Sequence, residues 1–177
     1  YIKDFATARW VIKYKGKIVY TSDDNVRAGS IPLSSLSVTG ILSVTAAGHF
    51  GHIGPDRNLY MTNLSNIARI TSISDKTLNN ASYLAFESDV ITRGLDDDGQ
   101  HLIIVGDTNS LTPTTAGSFR CFVAFWNMKS QDLTRIWEFK DNTIYGVASI
   151  EDEVIVFGAN NIYTCSVDSR PKVLMPM

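Results

Sequence analysis

The segment "GHFGHIGPDR", residues 48–57, contains the residue types that most readily bind a metal ion. His49, His52 and Asp56 offer imidazole and carboxylate ligands, which suit zinc or iron. In a strand, residues three apart point to opposite faces, so the two histidines could share a metal only within a turn, which the three glycines of this segment permit. The alternative is a glycine-rich bend with one histidine packed and the other exposed. We assign no metal ligand from the sequence and leave the question open for these three residues.

The run "LDDDGQ", residues 95–100, raises the possibility of calcium. Loops that hold Ca²⁺ place their oxygen ligands at every second position and add a later bidentate carboxylate. Three consecutive aspartates do not alternate in this way, and a solvated hairpin tip explains them without an ion. His101, which follows the hairpin, is expected to be a solvated strand residue.

No short catalytic motif is present. The sequence contains no G-x-S-x-G, no phosphate-binding glycine loop with lysine and no metalloprotease helix motif. Its acidic residues crowd the predicted turns, where exposure to water explains them. We therefore predict no catalytic residue and no cofactor, and we favour a non-enzymatic protein. An active site assembled from distant segments would leave no such motif, so an enzymatic role stays open.

Composition and charge restrict the class of protein. Of 177 residues, 44% are hydrophobic and 19% are charged, which is typical of a folded domain. The net charge is −2 and basic residues are spread along the chain, so direct nucleic-acid recognition is not expected. The longest apolar runs, such as Leu102–Val105 and Val154–Phe157, are far too short to span a bilayer. We expect a soluble domain without a membrane span.

The local pattern predicts strands throughout. Runs of Val, Ile, Thr, Tyr and Phe alternate with Gly, Asn, Asp and Ser, as in an all-β protein. Hairpin turns are expected at Gly16, at Gly99 and at residues 151–153. The best helix candidate, Leu78–Phe86, is short and could equally be a loop.

The first and last parts of the chain suggest an internal repeat. Residues 10–33, "WVIKYKGKIVYTSDDNVRAGSIPL", and residues 154–177, "VIVFGANNIYTCSVDSRPKVLMPM", share an apolar run, a polar break and a second strand-like run. The same slot accommodates two interior stretches, with Ile18, Leu59, Phe122 and Ile162 as equivalent positions. A repeat of roughly 40–50 residues with four strands is typical of a β-propeller blade.

The sequence therefore predicts antiparallel four-stranded blades of a β-propeller. The predicted units are residues 1–33, 36–75, 87–141 and 143–177, forming one propeller-type domain or part of a larger propeller. A β-sandwich or barrel is the alternative fold. Residues 107–118, "DTNSLTPTTAGS", form a long insertion that we expect to protrude from one face of the domain.

The two cysteines are predicted to be free and buried. Cys121 and Cys165 fall in the same strand of adjacent units and face the same way. Packed sheets lie about 10 Å apart, whereas a disulfide needs Cα atoms within about 7 Å.

The larger aromatic side chains admit two interpretations. They could form a platform that binds sugars, but we favour packing between blades. These residues are Trp10, Phe125, Trp126, Trp137 and Phe139.

One stretch, Asp141–Asp168, resembles a recurring unit of virion proteins from tailed bacteriophages. It is similar to propeller blades of tail hub, adaptor and nozzle proteins, which often contain I-x-G, then a hairpin, V-I-V-F-G and I-Y. The matching residues are Ile144, Gly146, Val154, Ile155, Val156, Phe157, Gly158, Ile162 and Tyr163.

The resemblance implies a non-enzymatic, structural role. A rigid ring or arc of blades would bind other virion proteins or a host receptor within a larger assembly, in the virion or outside the cell. A secreted propeller that binds or cleaves glycans is the first alternative, and a cytoplasmic scaffold propeller is the second. The sequence does not identify the partner.

Overall fold

The computed structural model describes residues 11–22, 25–30, 39–43, 50–63, 65–74, 77–86, 89–108 and 120–177. These residues form sixteen strands, and none of them lies in a helix that could cross a membrane. The strands make four sheets, each four-stranded, antiparallel and in chain order. The predicted all-β fold with blade-like units is confirmed.

Each sheet is a simple meander. The first contains β1 (Val11–Tyr14), β2 (Lys17–Ser22), β3 (Asn25–Ser30) and β4 (Thr39–Ser43). The second contains β5 (Gly51–Ile53), β6 (Leu59–Asn63), β7 (Asn66–Ser74) and β8 (Thr77–Ala85). The third contains β9 (Val90–Asp97), β10 (His101–Thr108), β11 (Arg120–Asn127) and β12 (Asp132–Lys140). The fourth contains β13 (Ile144–Ile150), β14 (Glu153–Gly158), β15 (Asn161–Cys165) and β16 (Lys172–Pro176).

Consecutive sheets pack against one another as blades do. Their first strands approach each other, with β1 on β5, β5 on β9 and β9 on β13. The last strands of the third and fourth sheets, β12 and β16, are mostly exposed. The first strands therefore lie on the inner side of the arrangement and the last strands on its outer side.

The third sheet is buried on both faces. Along β10, Ile103 and Val105 pack with residues of the fourth sheet, because alternate side chains of a strand point the same way. Leu102 and Ile104 point the other way and pack with Tyr60 and other residues of the second sheet. Because both faces are apolar, the sequence of β10 contains a continuous hydrophobic run rather than an alternation of apolar and polar residues.

The predicted hairpin turns are confirmed. Gly16 has a φ of 77° and Gly99 a φ of 87°, a backbone conformation that glycine adopts without steric cost. Glu151, at the third predicted turn, has a φ of 55°. Leu78–Phe86, the helix candidate, is instead strand β8 as far as Ala85, because it pairs with β7 along its whole length.

The structure corrects the alignment of the repeats. Ile18 and Leu59 lie in second strands, β2 and β6, whereas Phe122 and Ile162 lie in third strands, β11 and β15. Successive strands of a meander have similar patterns and similar spacing, so an alignment by pattern can slip by one strand. The first sheet therefore extends to β4, beyond the predicted unit of residues 1–33. The second sheet extends to β8, beyond the predicted unit of residues 36–75.

Gly106 offers a test of the packing. A Cβ atom at this position would clash with the carbonyl oxygen of Ile91 and lie 2.8 Å from the ring of Phe122. We expect Gly106→Ala to lower the free energy of unfolding by about 1–3 kcal/mol, because the backbone oxygen cannot move aside cheaply. Denaturant unfolding measures the loss.

Gly146→Ala is the matched control, because a Cβ atom at Gly146 meets nothing within 4 Å. Equal unfolding midpoints for the two variants would contradict the packing described for Gly106.

Candidate functional site

A cluster of metal-ligand side chains lies on two inner strands. His52 comes from β5, and Asp96 and Asp97 come from β9, so the cluster joins the second and third sheets. The Nε2 atom of His52 is 2.5 Å from an oxygen of Asp97 and 3.8 Å from an oxygen of Asp96. All three side chains are half-buried, and their ligand atoms lie within 4.8 Å of one another. We call these three residues the inner cluster.

Backbone donors hold both carboxylates of the inner cluster. The N–H of Ser149, in β13, donates to Oδ2 of Asp96 at 2.6 Å. The N–H of Gly99 donates to Oδ1 of Asp97 at 2.8 Å. The oxygens closest to His52 are Oδ2 of Asp97 and Oδ1 of Asp96, the latter also accepting the backbone N–H of Asp97 at 2.9 Å. The fourth sheet thus helps to orient a site formed by the second and third.

The sequence suggested different partners for His52. His49 lies outside the described residues. Asp56 is used within its own turn, where it accepts hydrogen bonds from the backbone and side chain of Asn58 and from the hydroxyl of Tyr60 at 2.6 Å. Burial alone would raise the pKa of Asp56, but these hydrogen bonds, with that from Tyr60 foremost, outweigh it and lower the pKa.

The "LDDDG" run is not a uniformly solvated tip. Asp96 and Asp97 are half-buried and belong to the inner cluster, contrary to the expectation from the sequence. Their neighbour His52 comes from a distant part of the chain. Only the run of aspartates itself could have signalled the site.

The expectation for His101 is wrong. This residue is 5% exposed, and its ring packs edge-on against Phe125. Its Nδ1 atom lies 2.9 Å from a carboxylate oxygen of Asp98, and its Nε2 atom is buried without a hydrogen-bond partner among the described residues. Burial tends to raise the pKa of Asp98, but hydrogen bonds from the backbone of His101 and Gln100 and from the His101 side chain lower it overall.

An acidic groove lies beside His101, between the third and fourth sheets. It has a volume of about 370 Å³. Four carboxylate side chains line it, those of Asp98, Glu151, Asp152 and Asp168. Such a lining attracts cationic groups and repels anions.

A buried carboxylate also joins the third and fourth sheets. Asp107 is 2% exposed and pairs with Arg93 at 3.2 Å. It accepts a hydrogen bond from the hydroxyl of Thr143 at 2.6 Å and one from the backbone N–H of Ile144 at 3.1 Å. Asp107 therefore belongs to β10, not to the predicted insertion, of which residues 109–118 lie outside the described residues.

Both cysteines are free and buried, as predicted. Burial raises the pKa of the Cys165 thiol to about 12. Burial, assisted by the negative charges of Asp107 and Asp141, raises the pKa of Cys121 to about 12. The thiolate is the reactive form, so neither cysteine is suited to nucleophilic chemistry at neutral pH.

The aromatic side chains pack between sheets, which confirms the favoured interpretation for the four that the structure describes. Phe125, Trp137 and Phe139 belong to the cluster between the third and fourth sheets, and Trp126 to the one between the second and third. Trp137 donates its indole N–H to the carbonyl of Ser166, and two arginines lie against its ring. Trp10 lies outside the described residues.

The fourth sheet has one apolar face that the described residues leave exposed. Val154 and Val156 point toward the third sheet and are buried. Phe157, Ile162 and Met175 are cross-strand neighbours on the opposite face, and none of the three apolar clusters includes them. Phe157 is 36% exposed and Met175 is 51% exposed. We call these three residues the open face.

Comparison with known proteins supports the fold. No family model matches the chain, and no curated protein matches it. The extracellular domain of a protein assigned as a one-component system of B. thetaiotaomicron has a TM-score of 0.65 at 12% identity, covering 94% of this chain and 22% of that chain. The Dos1 propeller has a TM-score of 0.53 at 11% identity, and the match covers 96% of this chain and 58% of that chain. The WD40 domain of Neurospora crassa Pan2 has a TM-score of 0.53 at 10% identity, and the match covers 96% of this chain and 66% of that chain.

At these identities the likeness concerns the fold alone, and the fold is that of a β-propeller. The chain spans about a fifth of the first of these chains and 58% to 66% of the other two.

The contacts of Asp107 predict a large effect on stability. Asp107→Asn removes a buried negative charge and leaves Arg93 without its partner, so we expect the free energy of unfolding to fall by about 2–4 kcal/mol. Denaturant unfolding at neutral pH measures this change.

Glu138→Gln is the control, because Glu138 pairs with Arg120 at an exposed position. Such a pair contributes at most about 1 kcal/mol. A loss for Asp107→Asn no larger than that for Glu138→Gln would contradict the structural role given to Asp107.

Proposed function

We propose that this chain is a non-enzymatic β-propeller module that assembles with another protein subunit through the open face of its fourth sheet. The observation that carries the proposal is the row formed by Phe157, Ile162 and Met175. It crosses three strands and remains accessible, whereas the central strand β10 of the third sheet is covered on both faces. Burying a side chain of this size contributes about 1.5–3 kcal/mol.

The proposed occupant is a second copy of this chain. The open face is apolar, and beside it on the same side of the sheet lie Glu153 and Lys172, which carry opposite charges. Two copies can therefore cover one another's apolar residues and pair these charges. Within the chain, an apolar layer of the same kind joins the third and fourth sheets, formed there by two different faces. A contact between identical faces also gives a closed, two-fold dimer.

Buried carboxylates hold in place the sheet that carries the open face. Asp107 accepts hydrogen bonds from Thr143 and the backbone of Ile144. Asp141 accepts hydrogen bonds from the backbone of Asn142 and Asn160 and from the Tyr163 hydroxyl. Carboxylates fixed in this way hold turns and sheets together.

The more specific proposal is that the assembly is a virion and that this chain is a component of a phage tail. Its support is the resemblance of Asp141–Asp168 to blades of tail hub, adaptor and nozzle proteins. In the structure, this stretch forms β13, β14 and β15 and includes Phe157 and Ile162 of the open face.

Replacing Phe157 tests the proposed subunit contact. We expect the wild-type chain to self-associate, and Phe157→Asp to weaken association at least about tenfold, because it removes apolar burial and adds a charge to the contact. Sedimentation velocity over a range of protein concentrations measures this. Ile136→Asp, at a 39% exposed position of β12 in the third sheet, is the matched control and should associate as the wild type does.

Circular dichroism shows whether each variant is folded. A wild-type chain that remains monomeric at all concentrations, or equal association of the two folded variants, would overturn the contact.

Mass spectrometry of purified phage particles tests the virion proposal. Peptides from this chain should occur in intact tails in a fixed ratio to other tail proteins, because a structural component has a defined copy number. Recovery of the chain only outside particles would argue against this location while leaving the subunit contact to its own test.

A further inference from the structure

We propose that the inner cluster, His52, Asp96 and Asp97, is a binding site for a first-row divalent metal ion, with Zn²⁺ as the preferred ion. The site bridges the second and third sheets at their inner strands, β5 and β9. It is independent of the proposed subunit contact, which lies on the fourth sheet.

The donor set is suited to zinc. One imidazole nitrogen and two carboxylate oxygens are ligands that Zn²⁺ accepts at about 2.0–2.2 Å, with a fourth position left for water. Imidazole distinguishes this site from those of Ca²⁺ and Mg²⁺, which take oxygen ligands. All three side chains remain partly exposed, so a water molecule can reach the open position.

The distances fit with small adjustments. Ligands placed tetrahedrally at 2.0–2.2 Å from an ion lie about 3.4 Å from each other. The two separations from Nε2 of His52, 2.5 Å to Asp97 and 3.8 Å to Asp96, fall on either side of that value. Side-chain rotations that move each ligand atom by about an ångström would bring all three atoms to one ion.

The charge of the inner cluster favours a cation. Two carboxylates and one imidazole converge here, with their ligand atoms within 4.8 Å of one another. A divalent cation among them would be attracted by both carboxylates and would reduce their mutual repulsion. Like charges that share a site are otherwise unfavourable.

The surrounding backbone prepares the carboxylates for this role. The N–H groups of Ser149 and Gly99 engage one oxygen of Asp96 and one of Asp97. The oxygens nearest His52 are the other two, of which Oδ1 of Asp96 also accepts the N–H of Asp97 and keeps a second lone pair for an ion. Such outer hydrogen bonds orient ligands and sharpen affinity. Because Ser149 belongs to β13, metal binding would also connect the fourth sheet to the site.

The expected consequence is a metal-stabilised junction. An ion held by β5 and β9 binds only the folded arrangement, so it should raise the stability of the chain in proportion to its affinity. No catalytic step is assigned to it.

Isothermal titration of the full chain with ZnSO₄, after removal of adventitious metal with EDTA, is the direct test. We expect one Zn²⁺ per chain, a higher melting temperature with Zn²⁺ and weaker responses to Ca²⁺ and Mg²⁺. His52→Ala and Asp97→Asn should each lower the Zn²⁺ affinity at least about tenfold. Asp132→Asn is the matched aspartate control and should bind as the wild type does, since Asp132 is exposed and lies outside both the inner cluster and the acidic groove.

Two further variants separate the proposal from its rivals. His52→Gln can keep a hydrogen bond to Asp97 but replaces the imidazole ligand, so unchanged Zn²⁺ affinity in this variant would mean that the cluster is a hydrogen-bonded pair only. His49→Gln should leave binding intact, and loss of binding there would assign the ion to a different ligand set. Absence of saturable Zn²⁺ binding to the folded wild-type chain would also overturn the proposal.

Discussion

The third sheet must bury both of its faces, and the rest of the described structure follows from that constraint. Its central strand β10 has no exposed side on which polar residues could alternate with apolar ones. Sheets on either side are therefore required, and each supplies one apolar layer. The same constraint explains why both cysteines, which lie in the apolar layer between the third and fourth sheets, are shielded from solvent. Packing of this density tolerates little change in volume.

Polar groups at the edges of these layers must then find partners within the protein. Asp96 and Asp107, both on the third sheet, accept hydrogen bonds from backbone groups of β13, and so link the third sheet to the fourth. A buried carboxylate without such donors would be costly. The apolar layers thus hold the sheets face to face, while the carboxylates fix how one sheet is positioned along the next.

The two proposed functional features differ in kind and in place. The inner cluster is a compact polar site between sheets, formed where first strands converge. The open face is a broad apolar surface on the fourth sheet, similar in composition to the layers buried elsewhere. A metal ion at the inner cluster would stabilise the arrangement of blades, and a partner on the open face would add further sheets to that arrangement. Neither feature requires the chain to catalyse a reaction.

The strands, the main hairpins and the buried cysteines can be predicted from the sequence, because these depend on local alternation and on turn residues such as Gly16 and Gly99. The equivalence of strands is not readable from the sequence, since neighbouring strands of a meander have similar patterns, and alignment by pattern places Ile18 on Ile162, one strand out of step. The sequence also cannot place His52 beside Asp96 and Asp97, or bury His101 against Phe125. Those contacts are made between strands far apart in the chain, and only the packing of whole sheets brings them together.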